Sequence, residues 1–258
     1  MNILTVMNED YSSYGRIFFS SLSKLSDYNK IEKIYVIDTG MEEETKAEFL
    51  SSYDRIWFID SEVNHAKTSH NAQDWREIVA TKVKGLSSLV EAGESPICMI
   101  DIDCFFKENF IDEINLEADI NVCKRRKPAA SGRWTHIASF FCANNNDKGL
   151  DFLKMWIERM LNMEDKMGIN KYPNHIETPA LCELIPRVSH LLTIEHLDQD
   201  VVSSNSLTDE SKIIHLKGEG LGYNSTFEHR TKRIASLIDP NDYITYPGIL
   251  WNIVCDTQ

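Results

Sequence analysis

With 258 residues, 42% of them apolar or aromatic and 26% charged, the chain has the composition of a single globular domain with its own core, neither disordered nor fibrous. The 40 acidic against 27 basic residues leave a formal charge of -13, which argues against a general affinity for nucleic acid or anionic lipid surfaces. No run approaches the about 18 apolar residues of a membrane span, and "MNILTVMNEDY" lacks a basic leader with a long apolar stretch, so a cytoplasmic protein is expected.

In chain order, "NILTV", "KIYVI", "RIWFI" and "PICMI" are short continuous apolar runs, the pattern of strands in a parallel sheet covered on both faces. Between the first two, Ile17, Phe18, Leu22 and Leu25 fall near helical spacing, and "EEETKAEFLSSY" reads as a second short helix. A longer helix over "DWREIVATKVKGLSSLVEAG" places Ile78, Val79, Val83, Leu86, Leu89 and Val90 on one stripe and ends at Gly93, a C-cap glycine. Repeated βα units imply right-handed crossovers and a mainly parallel sheet.

The pattern then changes. "ADINVCK" and "HIASFFCA" read as strands flanking a loop, "RRKPAASGRWT", and "GLDFLKMWIERMLNM" as a strongly amphipathic helix. "IIHLKGEGLGYN" and a basic helix near "EHRTKRIASLI" follow with less regularity. No repeat or linker divides the chain, so residues 1–258 are expected to form one α/β domain, with a ligand-binding half to about residue 103 and a second half from about 104. The six cysteines lie in apolar runs without CxxC spacing, as reduced core residues would.

The chemistry concentrates after "PICMI", where Asp101 and Asp103 stand between an apolar strand and two phenylalanines. On a continuing strand both side chains would face the same way, at the C-terminal edge where α/β sheets bind ligands. Two hard oxygen donors suit Mg2+ or Mn2+ with positions left for substrate phosphates, whereas a purely local role would be capping a helix near "FKENFIDEI" or pairing with basic side chains.

The layout resembles the GT-A-fold nucleotide-sugar glycosyltransferases, in particular their glycogenin-like and bacterial galactosyltransferase-like members. "ICMIDIDCFF" is similar to their strand ending in a DxD motif, "ILTVMNEDY" to their base-binding first strand and loop, "FFCANNNDKGLDFLKMW" to the strand and helix after the acceptor segment, "HIETPAL" to the acidic acceptor-side motif and "IIHLKGEGLGYN" to the late histidine-glycine segment. Glu177-Thr178-Pro179 stands where those members often read Asp-Gln. The resemblance implies a Rossmann-like, mixed and mostly parallel sheet, and a metal-dependent transfer from a nucleoside-diphosphate sugar, with UDP as the nucleotide, to a glycan or other hydroxyl acceptor.

By the same resemblance Asp103 is a direct metal ligand, Asp101 contacts the donor ribose or the metal through water, and His215 is a third ligand, whose imidazole favours Mn2+ over Mg2+. Lys217 would meet the diphosphate, with Gly218 and Gly220 allowing close backbone approach. Thr5, Val6, Met7, Asn8 and Tyr11 are candidates for the nucleoside, although ordinary strand and capping chemistry uses the same residue types. Asp38 closes the second strand at the matching edge. Lys82 and Arg76, on the helix feeding the DxD strand, are candidate phosphate contacts, and Glu177 is a candidate base or acceptor-binding group. The histidine motif leans towards retention of configuration.

The run Lys124 to Lys127, with Arg133 nearby, is either a solvated loop or an acceptor loop for an acidic acceptor, and Trp134 is a candidate sugar-stacking face. Two other readings compete. Haloacid-dehalogenase-like phosphatases also carry DxD after an apolar strand, but near the N-terminus, whereas three βα units precede it here. A GT-A-like domain that binds nucleotide or glycan without turnover is the non-enzymatic alternative.

Overall fold

The computed structural model describes residues 1–64, 72–129, 132–144, 147–163, 176–203 and 210–216. Seven strands form one sheet in the order β3-β2-β1-β4-β7-β6-β8. They are β1 (Asn2–Met7), β2 (Ile34–Asp38), β3 (Ile56–Asp60), β4 (Ile97–Ile100), β6 (Ile120–Ala129), β7 (Trp134–Ala143) and β8 (Ile194–Asp198). All neighbours pair in parallel except that β7 runs against both β4 and β6. The remaining two, β5 (Cys104–Phe106) and β9 (Ile213–His215), form a small antiparallel ladder.

The four expected apolar runs are β1 to β4; β1, β2 and β4 are almost wholly buried because both faces are covered, whereas the edge strand β3 leaves Trp57 56% exposed. Helices α1 (Ser12–Leu22) and α2 (Glu43–Ser52) lie on one side, where Phe18, Phe19 and Phe49 pack with Ile3, Val36 and Cys98. Helices α3 (Ala72–Glu91), α4 (Asp147–Leu161) and α5 (Glu177–Val188) lie on the other, where Val83, Leu86, Phe152, Trp156 and Leu181 pack with Leu4, Met99 and Phe141. Fully burying each such side chain contributes about 1.5–3 kcal/mol. The chain steps outward from β1 to β2 and β3, then returns to β4 on the opposite side of β1. The crevice at the C-terminal ends of β1 and β4 is therefore the topological switch point, where open α/β sheets take ligands.

Local sequence explains where α3 stops. Gly93, at φ +84°, donates to the Val90 carbonyl at 3.0 Å while Glu94 donates to that of Leu89 at 2.9 Å, the paired bonds of a Schellman cap. At Gly85, a Cβ would collide with the Ile37 side chain, so the glycine sets how closely α3 sits on β2. The cysteines among the described residues, Cys98, Cys104, Cys123, Cys142 and Cys182, are buried and unbridged, as expected of small core residues. No helix among the described residues is long and apolar enough to cross a membrane.

Three expectations need correction. Asp101 and Asp103 do not continue β4 but sit in the turn between β4 and β5, so their convergence comes from the turn rather than from strand alternation. The helix expected near "FKENFIDEI" is only a 3-10 turn at Ile111–Glu113. The segment expected as a basic loop is mostly strand, because β6 runs to Ala129 and β7 begins at Trp134. Helix α5, where no element is expected from the sequence, carries two prolines. Pro179 lies in the first turn, where backbone N–H groups have no intrahelical acceptor, and Pro186 lies in the last. The basic helix near "EHRTKRIASLI" lies outside the described residues.

Candidate active site

The turn after β4 is held from both sides. The Asp101 N–H donates to the Ser139 carbonyl of β7 at 3.0 Å, and the Asp103 carbonyl accepts from Leu216 N–H at 2.9 Å. Pairing of β5 with β9 sets Cys104 opposite His215, which brings a histidine from the far end of the chain beside the aspartates. His215 Nε2 lies 3.3 Å from Asp103 Oδ1 and 3.6 Å from Asp101 Oδ2. Among the described residues this is the one cluster of three metal-ligating side chains, with donor atoms within 4.8 Å of one another. Two carboxylates and an imidazole are a donor set for Mn2+ or Mg2+, so the residues present fit a divalent cation.

A second layer of charge supports the first. Lys82, on α3 and only 3% exposed, reaches Asp101 Oδ1 at 2.5 Å and Glu177 Oε2 at 3.0 Å. Burial alone would drive the proton off this amine; the two carboxylates outweigh that and raise its pKa well above the usual lysine value. Glu177 opens α5, and its backbone carbonyl accepts from Trp156 Nε1 at 3.0 Å, so α4 fixes the start of α5. Thr178, the next residue, turns into the fold and accepts from Ala138 N–H at 3.4 Å. Lys82 thus ties the turn that carries Asp101 and Asp103 to Glu177 of α5, a coupling between residues so far apart in sequence that no local pattern carries it.

The nucleoside candidates lie at the same edge in different states. Thr5, Met7 and Asn8 are buried at the end of β1. The Met7 side chain belongs to the core, since a Cβ at Gly15 of α1 would come within 2.5 Å of its sulfur. Tyr11 is half-buried in the following turn, its ring 5.5 Å from that of Tyr14. Asp38 pairs in register with Met7, but its Oδ1 accepts from the N–H groups of Gly40 and Met41 at 2.8 Å and its Oδ2 meets Lys46 at 3.0 Å. Against the opposing effect of burial, these partners hold its pKa below the usual carboxylate range. Arg76 lies away from the aspartates' contacts and donates to the Met163 carbonyl at 2.9 Å. Lys217, Gly218 and Gly220 lie outside the described residues.

Residues 34–224 match the model of a family described as nucleotide-diphospho-sugar transferase. The chain belongs to this family. Solved structures agree on the fold of this transferase. An active-site mutant of LgtC superposes with a TM-score of 0.60 at 15% identity, covering 95% of this chain and 100% of that one. The galactosyltransferase LgtC in complex with donor and acceptor sugar analogues gives 0.51 at 14% identity with the same coverage. The glycosyltransferase GlyE of Streptococcus pneumoniae TIGR4 gives 0.56 at 12% identity, covering 99% of this chain and 63% of that one. No curated protein sequence matches this transferase. The fold is the GT-A fold, Asp101 and Asp103 fit its DxD motif, and the phosphatase alternative has no support among these matches.

Proposed function

We propose that the protein is a metal-dependent glycosyltransferase that moves a sugar from a UDP-sugar to a hydroxyl group of a glycan, a reaction of polysaccharide assembly. The observation that carries this reading is the meeting of Asp101, Asp103 and His215 at the switch point of the sheet, with Lys82 and Glu177 directly behind. Asp103 and His215 would hold the cation, with Asp101 shared between it, the donor ribose and Lys82. Mixed oxygen and imidazole donors favour Mn2+, with Mg2+ as the alternative. When bound, the cation supplies positive charge to the diphosphate oxygens on which charge develops as the sugar leaves.

The chain's own residues do the rest. Lys82 holds Asp101 and Glu177 in place, and adds positive charge beside the diphosphate. Thr5 and Asn8 at the end of β1 and Tyr11 in the turn after it flank the nucleoside, Met7 backs them from the core, and Asp38 fixes the turn that closes the pocket. Lys217, with the backbone at Gly218 and Gly220, completes the diphosphate contacts on the strength of the sequence motif alone. Because Lys82 engages Glu177 on the donor side, this carboxylate reads as a sugar-orienting group rather than a base beside the acceptor hydroxyl, which supports retention of configuration. NMR assignment of the product's anomeric configuration tests that point.

A thermal-shift panel of nucleotide-sugars, with and without Mn2+, tests the whole reading. UDP-sugars are expected to raise the melting temperature only with Mn2+, by the equivalent of about 2.7 kcal/mol at a hundredfold excess over Kd. Asp103→Asn should abolish the response. If calorimetry on Asp103→Asn shows donor binding with unchanged metal dependence, the site is wrongly assigned. Donor binding without consumption, across all acceptors offered, would favour the non-catalytic alternative.

A further inference from the structure

The reading above leaves the second half of the sheet edge without a task. Ser139, whose carbonyl receives the Asp101 N–H, is the point where β7 passes the DxD turn. From there β7 reaches back to His136 and Trp134, and at about 3.3 Å per residue those positions lie about 10–17 Å beyond the aspartates. β6 runs beside it but not in step. Lys124 pairs with His136 and Ala129 with Trp134, so an advance of five residues on β6 is matched by two on β7. Arg125 to Pro128 therefore bow out of the ladder, the kind of irregularity that re-aims side chains next to active sites.

The bowed segment is basic. Lys124, Arg126 and Lys127 are exposed, Arg125 is half-buried, and Arg133 is exposed just before β7. Arg126 has a carboxylate partner, Asp200 at 2.9 Å, yet 74% of its side chain remains in water. Arg125 donates its Nε to the His136 carbonyl at 3.2 Å. Lys124, Lys127 and Arg133 have no ion pair among the described residues. In a chain of net charge -13 acidic partners are abundant, and like charges crowded on one strand are destabilising. Basic side chains are thus concentrated on this one projection, faced by Asp200 at Arg126 and by Asp198 in register opposite Lys124 on β8.

We propose that the β6–β7 ribbon docks an anionic acceptor glycan, one that carries phosphate or carboxylate groups about 10–17 Å from the hydroxyl that receives the sugar. The proposal rests on the glycosyltransferase reading of the DxD edge and names the substrate class for it. Half-buried Trp134, at the far end of the ribbon opposite Ala129, supplies apolar surface for a sugar ring beside the basic side chains. The acidic remainder of the protein repels any long polyanion that spreads past the ribbon, so a duplex nucleic acid is not the occupant.

Fluorescence anisotropy on the full chain tests this with labelled oligosaccharides: a phosphorylated mannan oligosaccharide, an oligogalacturonate, and a neutral counterpart of each. At low salt at least one anionic probe should bind about tenfold or more tighter than its neutral counterpart, and the advantage should shrink as salt rises. Which anionic probe prevails separates phosphate from carboxylate. Lys124→Gln/Lys127→Gln, which removes two exposed charges without an ion pair among the described residues, should weaken that binding about tenfold while Mn2+-dependent UDP binding by calorimetry stays unchanged. Equal affinity for charged and neutral probes, an unaffected double variant, or equally tight binding of a short DNA duplex would each overturn the proposal. Loss of UDP binding by the unmutated protein, with the lysine dependence intact, would instead count against the donor-site reading alone.

Discussion

At the donor edge Lys82 is 3% exposed and shared by two carboxylates, whereas on the β6–β7 ribbon Arg126 keeps 74% of its side chain in water and its basic neighbours Lys124 and Lys127 have no carboxylate partner among the described residues. The two regions adjoin the same sheet edge, yet they hold charge under opposite conditions. A buried ion survives only if folding itself delivers its partners, because desolvation costs several kcal/mol per charge. A solvated ion costs little and needs no fixed partner. The cluster around Lys82 is therefore built into the fold, drawing on α3, α5, β9 and the turn after β4. The ribbon is attached to the fold and leaves its charge available.

Lys82→Met should break this contrast most severely. The methionine fits the space, but Asp101 and Glu177 would lose the cation that compensates them both, at an expected cost of about 3–5 kcal/mol. Urea denaturation measures it, and donor binding should fall with stability. A loss below about 1 kcal/mol would mean that the carboxylates find other compensation and that the cluster is not coupled as described.

A histidine at the junction of the two regions gives a smaller, pH-dependent effect. His136 is buried on β7, with Thr135 Oγ1 2.9 Å from its Nδ1 and His196 Nδ1 3.2 Å from its Nε2. Burial, then His196 and Lys124, push its pKa down to about 4. An unfolded histidine titrates near 6.5, so between these values the unfolded chain binds the extra proton. Stability from this group is complete above about pH 6.5 and falls as pH drops towards 4, by at most about 3 kcal/mol. His136→Gln should flatten the stability profile across that window; overlapping profiles for the two proteins would show that His136 is not held neutral.

How far these features could be read from the sequence follows the same division. The apolar runs of β1 to β4, the stripe of α3 and its Gly93 cap are local signals, and local physics decides them. Asp101 and Asp103 were legible because the strand before them fixes their place at the sheet edge. The pairing of β5 with β9 that delivers His215, and the reach of Lys82 to Glu177, are decided by tertiary packing. The sequence signal for His215 came only through a family resemblance, and the Lys82 to Glu177 contact had none. Helix α5 went unassigned because its start registered only as the motif "HIETPAL"; its Pro179 sits in the first turn, where proline is tolerated. The basic run was visible as composition, but its strand conformation depends on β7, a partner that composition does not reveal.

The exposed pair of Arg126 and Asp200 is the least costly place to test the comparison and the most sensitive to its premise. If the ribbon's charges are solvated, a double-mutant cycle over Arg126→Ala and Asp200→Asn should give a coupling of at most about 1 kcal/mol, declining further as salt is raised. Asp200 complicates one corner of the cycle, because its N–H is capped by the Asp198 side chain and its carbonyl accepts from Ser211. Asn at position 200 leaves both backbone bonds intact, so the cycle isolates the side-chain pair. A coupling above about 2 kcal/mol, insensitive to salt, would show that α6 (Gln199–Val202) pins the ribbon through a desolvated bridge. The ribbon would then be a structural strap, with its charge committed to the fold in the same way as that of Lys82.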